Sequence, residues 1–253
     1  MKLDISGRTD VGKKRTNNED NFLLEPEMGF FVVADGMGGH SHGEIASKMA
    51  VETTRDAVKR FFTNGQKGIL GKVDPKVSER ANQLGSAVRL ANQIIFESAK
   101  TKPQLNGMGT TIDCVWINKD KASIAHVGDS RVYLVRDGKL SQVTRDHSLV
   151  EDQVRQGLLK REEAEKSHLK NVLTRALGVD ENAEVDILDT DLCPGDILIG
   201  CTDGLNKMVA DDEIAKAIPL MKTPKMIADH LVDMANAAGG VDNVTVVVAQ
   251  LTR

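Results

Sequence analysis

Acidic residues recur along this chain in one local setting. Glu19 and Asp20 close the segment "RTNNED", and Asp35 follows the apolar run Phe30–Ala34 in "VVADG". Asp129 lies in "HVGDSR", Asp203 in "LIGCTDG" and Asp242 in "GGVDNVTVVV". Each adjoins a stretch of strand-like composition and a glycine or another small residue. A single Asp-Gly is an ordinary turn, and Asp137-Gly138 in "RDGK" reads as a hairpin turn between two apolar runs. A set of such acids at strand ends is different. If those ends converge, the carboxylates repel one another and resist desolvation, so multivalent cations must neutralise them. Donors that are all oxygen select hard octahedral ions, Mg²⁺ or Mn²⁺, over zinc or copper.

The bare turn after Asp35 fits that chemistry. Gly36 offers its carbonyl to a cation, and Gly38, Gly39 and Gly43 allow a tight turn with room for a substrate. A phosphate-cradling P-loop is excluded, because no Gly-Lys-Ser/Thr follows.

The elements that must position these acids are readable from periodicity. Residues 22–34 read as a strand ending at Asp35. Residues 43–62 read as a helix with a stripe of Ile45, Met49, Thr53, Ala57 and Phe61. Residues 77–100 read as a second helix, striped by Val77, Ala81, Leu84, Val88, Ala91 and Ile95. The period then changes to that of hairpin-linked strands over "TTIDCVWINKDKASIAHVGDSRVYLVRDGKLSQVT", where Trp116 shares a face with Ile112 and Cys114 and reads as core. Residues 148–172 are a charged, irregular insertion with short helices at 148–157 and 161–166. Strands return at 184–190 and 196–201. A helix begins at Thr223-Pro224, and a last strand covers Val244–Leu251. Adjacent strands and segregated helices predict an α+β fold with mostly antiparallel sheets in one domain, residues 1–253.

Bulk properties narrow the function. The net charge of −4 and the absence of a basic block argue against nucleic acid as a partner. Cys114, Cys193 and Cys201 are odd in number and form no C-x-x-C pair, so neither a disulfide framework nor a zinc knuckle is expected. The N-terminus "MKLDISGRTD" has no apolar leader, and no apolar run could span a bilayer. The expectation is a soluble cytoplasmic protein with no membrane partner, and a monomer is favoured.

The segments "GRTDVGKKRTNNED", "VVADGMGGH", "GMGTT", "AHVGDSRVYLVRDG", "CTDGL" and "GGVDNVTVVV" occur in this order over residues 7 to 248. Together they resemble the bacterial branch of the metal-dependent (type 2C) serine/threonine protein phosphatases. The resemblance implies an αββα sandwich of two antiparallel sheets with a two-metal site at one edge. It implies that Asp35 bridges two ions, that the Gly36 carbonyl binds one, and that Asp203 and Asp242 complete the shell of the other. Glu19 and Asp20 would act mostly through metal-bound waters. Asp129 would hold a third ion, with a backbone carbonyl from Asn171. Arg15 would bind substrate phosphate through its guanidinium fork. A water bridging two ions, its pKa lowered from ~15.7 to near neutral, would attack phosphorus in line.

Animal members place a histidine directly after Asp-Gly, where this chain has Met37. His40 is the nearest candidate for protonating the leaving group, and a metal-bound water is the alternative. Thr110 and Thr111 read as structural. Asn243 reads either as orienting a ligand or as starting a strand. His126, His147, His168 and His230 read as ordinary polar or core residues. The insertion matches the flap beside the family's site. The expected partners are proteins phosphorylated on serine or threonine, including a serine/threonine kinase. Two other functions are compatible with clustered carboxylates: a different two-metal phosphoester hydrolase, and an inactive family member that only binds phosphoproteins.

Overall fold

Two hydrophobic periods in one strand explain the layering. A computed structural model describes residues 2–38, 42–64, 68–164 and 166–252. The strands are β1 (Lys2–Asp10), β2 (Asp20–Glu25), β3 (Phe30–Met37), β4 (Gly109–Thr110), β5 (Ile112–Asn118), β6 (Lys121–Val127), β7 (Arg131–Arg136), β8 (Lys139–Gln142), β9 (Asp186–Asp191), β10 (Ile197–Cys201) and β11 (Val244–Thr252). The helices are α1 (Gly43–Asn64), α2 (Glu79–Thr101), α3 (Leu149–Arg155), α4 (Arg161–Ala164), α5 (Asp203–Asn206), α6 (Asp211–Ala217) and α7 (Pro224–Ala237). One antiparallel sheet runs β1-β11-β10-β7-β8 and the other β2-β3-β5-β6-β9, with β4 extending the end of β3.

Alternate residues of β3 enter different cores. Phe30, Val32 and Ala34 pack under α1 and α2, whereas Phe31 and Val33 face the other sheet. β11 does the same: Val244, Val246 and Val248 lie against α7, and Val247, Ala249 and Leu251 lie between the sheets. Strands buried on both faces force the layers into helices, sheet, sheet, helices, which is the expected αββα sandwich. The sheets meet closely at Phe31, whose ring would come within 2.8 Å of a Cβ placed on Gly200 of β10.

The structure corrects three sequence-based readings. Residues 22–34 are not one strand. The segment "EPEM" forms a 3₁₀ turn, Gly29 takes φ 66°, and the chain reverses into a β2–β3 hairpin. The buried face of α1 is centred on Ala46, Ala50, Thr54 and Val58, one residue beyond the expected stripe, while Ile45, Met49 and Phe61 pack at its margin. Small residues lie at the centre because α1 sits close to both α2 and β3. Helices α5 and α6 were not expected. The Thr223 cap was expected, and its side chain accepts from Met226 N at the start of α7; Ser78, which the sequence reading placed inside the second helix, caps α2 by accepting from Ala81 N. Asp137 (φ 51°) and Gly138 (φ 74°) form the expected β7–β8 turn. Trp116 is buried, donates to the Met28 carbonyl at 3.0 Å, and lies under Arg80 at 4.8 Å. Among the described residues no helix is long and apolar enough to cross a membrane.

Phe31→Ala opens a cavity between the sheets that Gly200 cannot fill. We expect a loss of about 3–5 kcal/mol in unfolding free energy, measured by urea titration; a loss below about 1 kcal/mol would show that the layers collapse together.

Candidate metal centre

The ends of β3, β6 and β10 and the starts of β2 and β11 meet at one edge of the sandwich. They deliver the acids to a single cavity of about 550 Å³, lined by Arg15, Glu19, Asp35, Gly36, Asp129, Asp203 and Asp242. The opposite wall is Asn171, Leu173, Thr174, Arg175, Val179 and Asp180. Asp20 is the one predicted acid that lies behind the wall, buried beneath Asp35.

Asp20 and Asp35 are direct partners across the β2–β3 pair. Like charges so placed are destabilising in a bare sheet. Asp35 is fixed through its backbone: its N–H donates to Thr111 Oγ1 at 3.0 Å, and its carbonyl accepts from Thr110 Oγ1 at 2.8 Å and Thr111 N at 2.9 Å. The two threonines are therefore the structural residues expected. Burial, followed by the charges of Asp20, Asp203, Asp129 and Asp242, holds the Asp35 carboxyl well above the usual range. Burial also pushes Asp20 up to about 7, against hydroxyl donation from Thr245 and Thr202. Those bonds, 2.7 and 2.8 Å to Asp20 Oδ2, tie the edge of one sheet to the other. Asp129 is pushed up to about 6, again mainly by burial and then by Asp203.

Gly36 is required by contact with backbone. A Cβ there would lie 2.1 Å from the Gly43 carbonyl oxygen and 2.6 Å from that of Glu19. The glycine therefore lets the start of α1 and the Glu19 loop close on the strand end, a packing demand additional to the exposed carbonyl expected from sequence. Glu19 N–H in turn donates to Asn243 Oδ1 at 2.8 Å, and Asn243 Nδ2 donates to the carbonyls of Val11 and Asn17. Asn243 is thus a clamp on the loop that carries Arg15 and Glu19. Arg15 is half exposed and pairs with Asp242 Oδ2 at 2.9 Å.

Among the described residues no three acidic, histidine or cysteine side chains converge into a ready ligand cage. The acids instead face a common space and are held apart by cations of the chain, Arg15 on Asp242 and Lys207 between Asp203 and Asp129. Divalent ions fit this donor set. Oδ1 of Asp20 and Oδ1 of Asp203 are buried without a hydrogen-bond partner, and all the nearby acceptors are oxygen. His40 lies outside the described residues, and no histidine is among the described residues lining the cavity. His126 and His147 stack with centroids 4.5 Å apart and bond to Asp113 and Asp186, as core polar residues.

Lys207, Arg175 and Asp180 were not found from sequence. For Lys207 a signal existed, a cation one turn after Asp203 in "DGLNK". For Arg175 and Asp180, only the path of the chain after the insertion brings them to the site.

The chain matches the family model described as protein phosphatase 2C over residues 11–247. It is 37% identical over 246 residues to the serine/threonine phosphatase stp of Listeria monocytogenes, covering 96% of this chain and 94% of that protein. It is 34% identical to the Mycobacterium tuberculosis serine/threonine protein phosphatase PstP over 98% of this chain and 45% of that longer protein. A crystal structure of the M. tuberculosis phosphatase superposes with a TM-score of 0.86 at 33% identity, covering 99% of both chains. A structure of the PstP catalytic domain in complex with 2 manganese ions superposes at 0.82, also at 33% identity.

Stripped of cations by a chelator, the site should respond to pH. An acid with a raised folded pKa binds its proton more tightly in the folded state, so its contribution to stability falls as pH rises. For Asp20 the window runs from its ordinary value of about 4 to about 7. In chelator, Asp20→Asn should therefore gain thermal stability relative to wild type across that window. A stability difference that does not change across the window would show that the Asp20 pKa is not raised by folding.

Proposed function

Because the chain belongs to the protein phosphatase 2C family, we propose that it is a metal-dependent enzyme that hydrolyses phosphoserine and phosphothreonine in proteins. The observation that carries this reading is the convergence of Asp35, Asp129, Asp203 and Asp242 on one cavity with Arg15 at its rim. No acid of the set is replaced, which disfavours an inactive phosphoprotein binder. The residues that would hold two Mg²⁺ or Mn²⁺ ions are Asp35, Asp203 and Asp242 with the Gly36 carbonyl, backed by Glu19 and Asp20. Bound there, such ions supply Lewis acidity and lower the pKa of water from ~15.7 to about 7.

The chain's own residues do the rest. The Thr110 and Thr111 bonds keep Asp35 from retreating when charge enters the cavity. Thr202 and Thr245 fix the orientation of Asp20 behind it by donating to its Oδ2. Arg15 pairs with one oxygen of Asp242. When Asp242 is committed to a cation, the guanidinium is free to take two phosphate oxygens and to stabilise charge on the phosphoryl group. The attacking water approaches phosphorus opposite the seryl or threonyl oxygen, which must gain a proton to leave. We assign that proton to His40.

The insertion is closed at its stem. Leu149 N–H donates to the Val172 carbonyl at 2.9 Å, and Ser148 bridges Leu173, so residues 149–172 leave and re-enter at one point beside the cavity. We assign this flap to contact with the protein around the phosphorylated residue. Its substrates are the products of a serine/threonine kinase, met in the cytoplasm.

Phosphate release from a phosphothreonine peptide tests the main reading. Turnover should require Mn²⁺ or Mg²⁺, stop with chelator, and be lost in Asp35→Asn and Asp203→Asn. Wild-type protein inert on several peptides with either ion would overturn it. Replacing residues 149–172 by a short linker should lower kcat/KM for the peptide far more than for a small aryl phosphate. Equal losses would remove the flap from substrate selection.

A further inference from the structure

The acidic cavity contains a cation that the chain itself supplies. Lys207 Nζ hydrogen bonds Asp203 Oδ2 and lies 3.4 Å from Asp129 Oδ2. Its backbone is fixed at the end of α5, where its N–H donates to the Asp203 carbonyl at 2.9 Å. The side chain therefore turns back over the acid that begins the same helical turn. Asp129 is buried, and among the described residues Lys207 is the cation within ion-pair distance of it. The other cationic side chains of the cavity are engaged elsewhere, Arg15 with Asp242 and Arg175 with Glu184 and Asp186. Lys207 and Asp129 also line a second cavity of about 770 Å³ beneath the insertion, so the pair forms the partition between the two spaces.

The family resemblance put a third ion at Asp129. The geometry points to a different arrangement: we propose that Lys207 is a built-in counter-ion that neutralises Asp129 and so confines this chain to the two core ions, leaving no site for a third. The reasoning is one of charge and tethering. Asp129 carries a single negative charge and Lys207 a single positive one. A divalent ion approaching Asp129 meets a pair that is already neutral. It also competes with an ammonium whose local concentration is set by a short, ordered turn rather than by the solution. With Asp203 holding a core ion, the Lys207 ammonium would be left wholly to Asp129. A tethered cation differs from a bound one in a further respect, since no chelator removes it.

This inference rests on the two-metal reading above, and the test separates the two. Equilibrium dialysis against Mn²⁺, followed by metal analysis, counts the ions retained per chain. Wild type and Asp129→Asn should retain the same number, about two. Lys207→Gln should retain one more at the same free Mn²⁺, and Lys207→Gln combined with Asp129→Asn should lose that extra ion. Lys207→Arg, which keeps the charge, should match wild type. Loss of an ion from Asp129→Asn alone would overturn the proposal, and so would a Lys207→Gln variant that gains none. The comparison of wild type with Asp129→Asn decides the matter even if the Lys207 variants fail to fold. Wild-type protein that retains no Mn²⁺ would instead overturn the two-metal reading, and this inference with it.

Discussion

Everything at the working edge of this molecule follows from placing like charges next to one another. Asp20 faces Asp35 across a strand pair, and Asp129, Asp203 and Asp242 come from other strands to the same space. Desolvation, followed by mutual repulsion, raises the pKa values of Asp20, Asp35 and Asp129 above the usual carboxylate range. Such an arrangement opposes folding unless the surroundings are rigid enough to bear it. The sandwich provides that rigidity, because β3, β10 and β11 are buried on both faces and cannot shift without opening a core.

The rigidity is relayed by short polar contacts rather than by the carboxylates themselves. Thr110 and Thr111 hold the backbone of Asp35, Thr202 and Thr245 hold Asp20 across the sheet boundary, and Asn243 ties three points of the β1–β2 loop together. Each keeps the carboxylate oxygens that face the cavity available. Stored electrostatic strain is in this way converted into affinity for cations, which relieve it on binding.

The two long helices, the Asp-Gly hairpin, the threonine cap of α7 and the acids themselves were legible because each rests on local pattern: a period, a turn dipeptide, a cap, a motif. What was not legible depends on distance in space. The reversal at Gly29 was hidden because Phe22–Leu24 and Phe30–Ala34 are both apolar and strand-like, and only pairing distinguishes a hairpin from one long strand. The face of α1 was displaced by one residue because close packing against α2 favours alanine over the larger Ile45 and Met49 beside it. Arg175 and Asp180 enter the cavity from a segment whose position is set by the closed stem of the insertion. Lys207 carried a visible spacing, yet an i,i+4 pair usually means a solvated helix surface, and nothing in the sequence says that this one faces inward.

The pairing of β1 with β11 bears on how the molecule is made. Residues 2–10 align with residues 244–252 along their whole length, and β11 lies between β1 and β10. During vectorial synthesis the first strand therefore waits for the last one, and one edge of β10 stays open until it arrives. The β2–β3 hairpin with Asp20 and Asp35 can form early, whereas Asp242 is translated just ahead of the closing strand. Until residues 244–252 are made, a nascent chain thus holds an unpaired first strand and an incomplete acidic site. Asp242 and β11 are neighbours in sequence, so the last acid reaches the site with the strand that completes the first sheet, and full cation capture and completion of that sheet become a single event in the life of the chain.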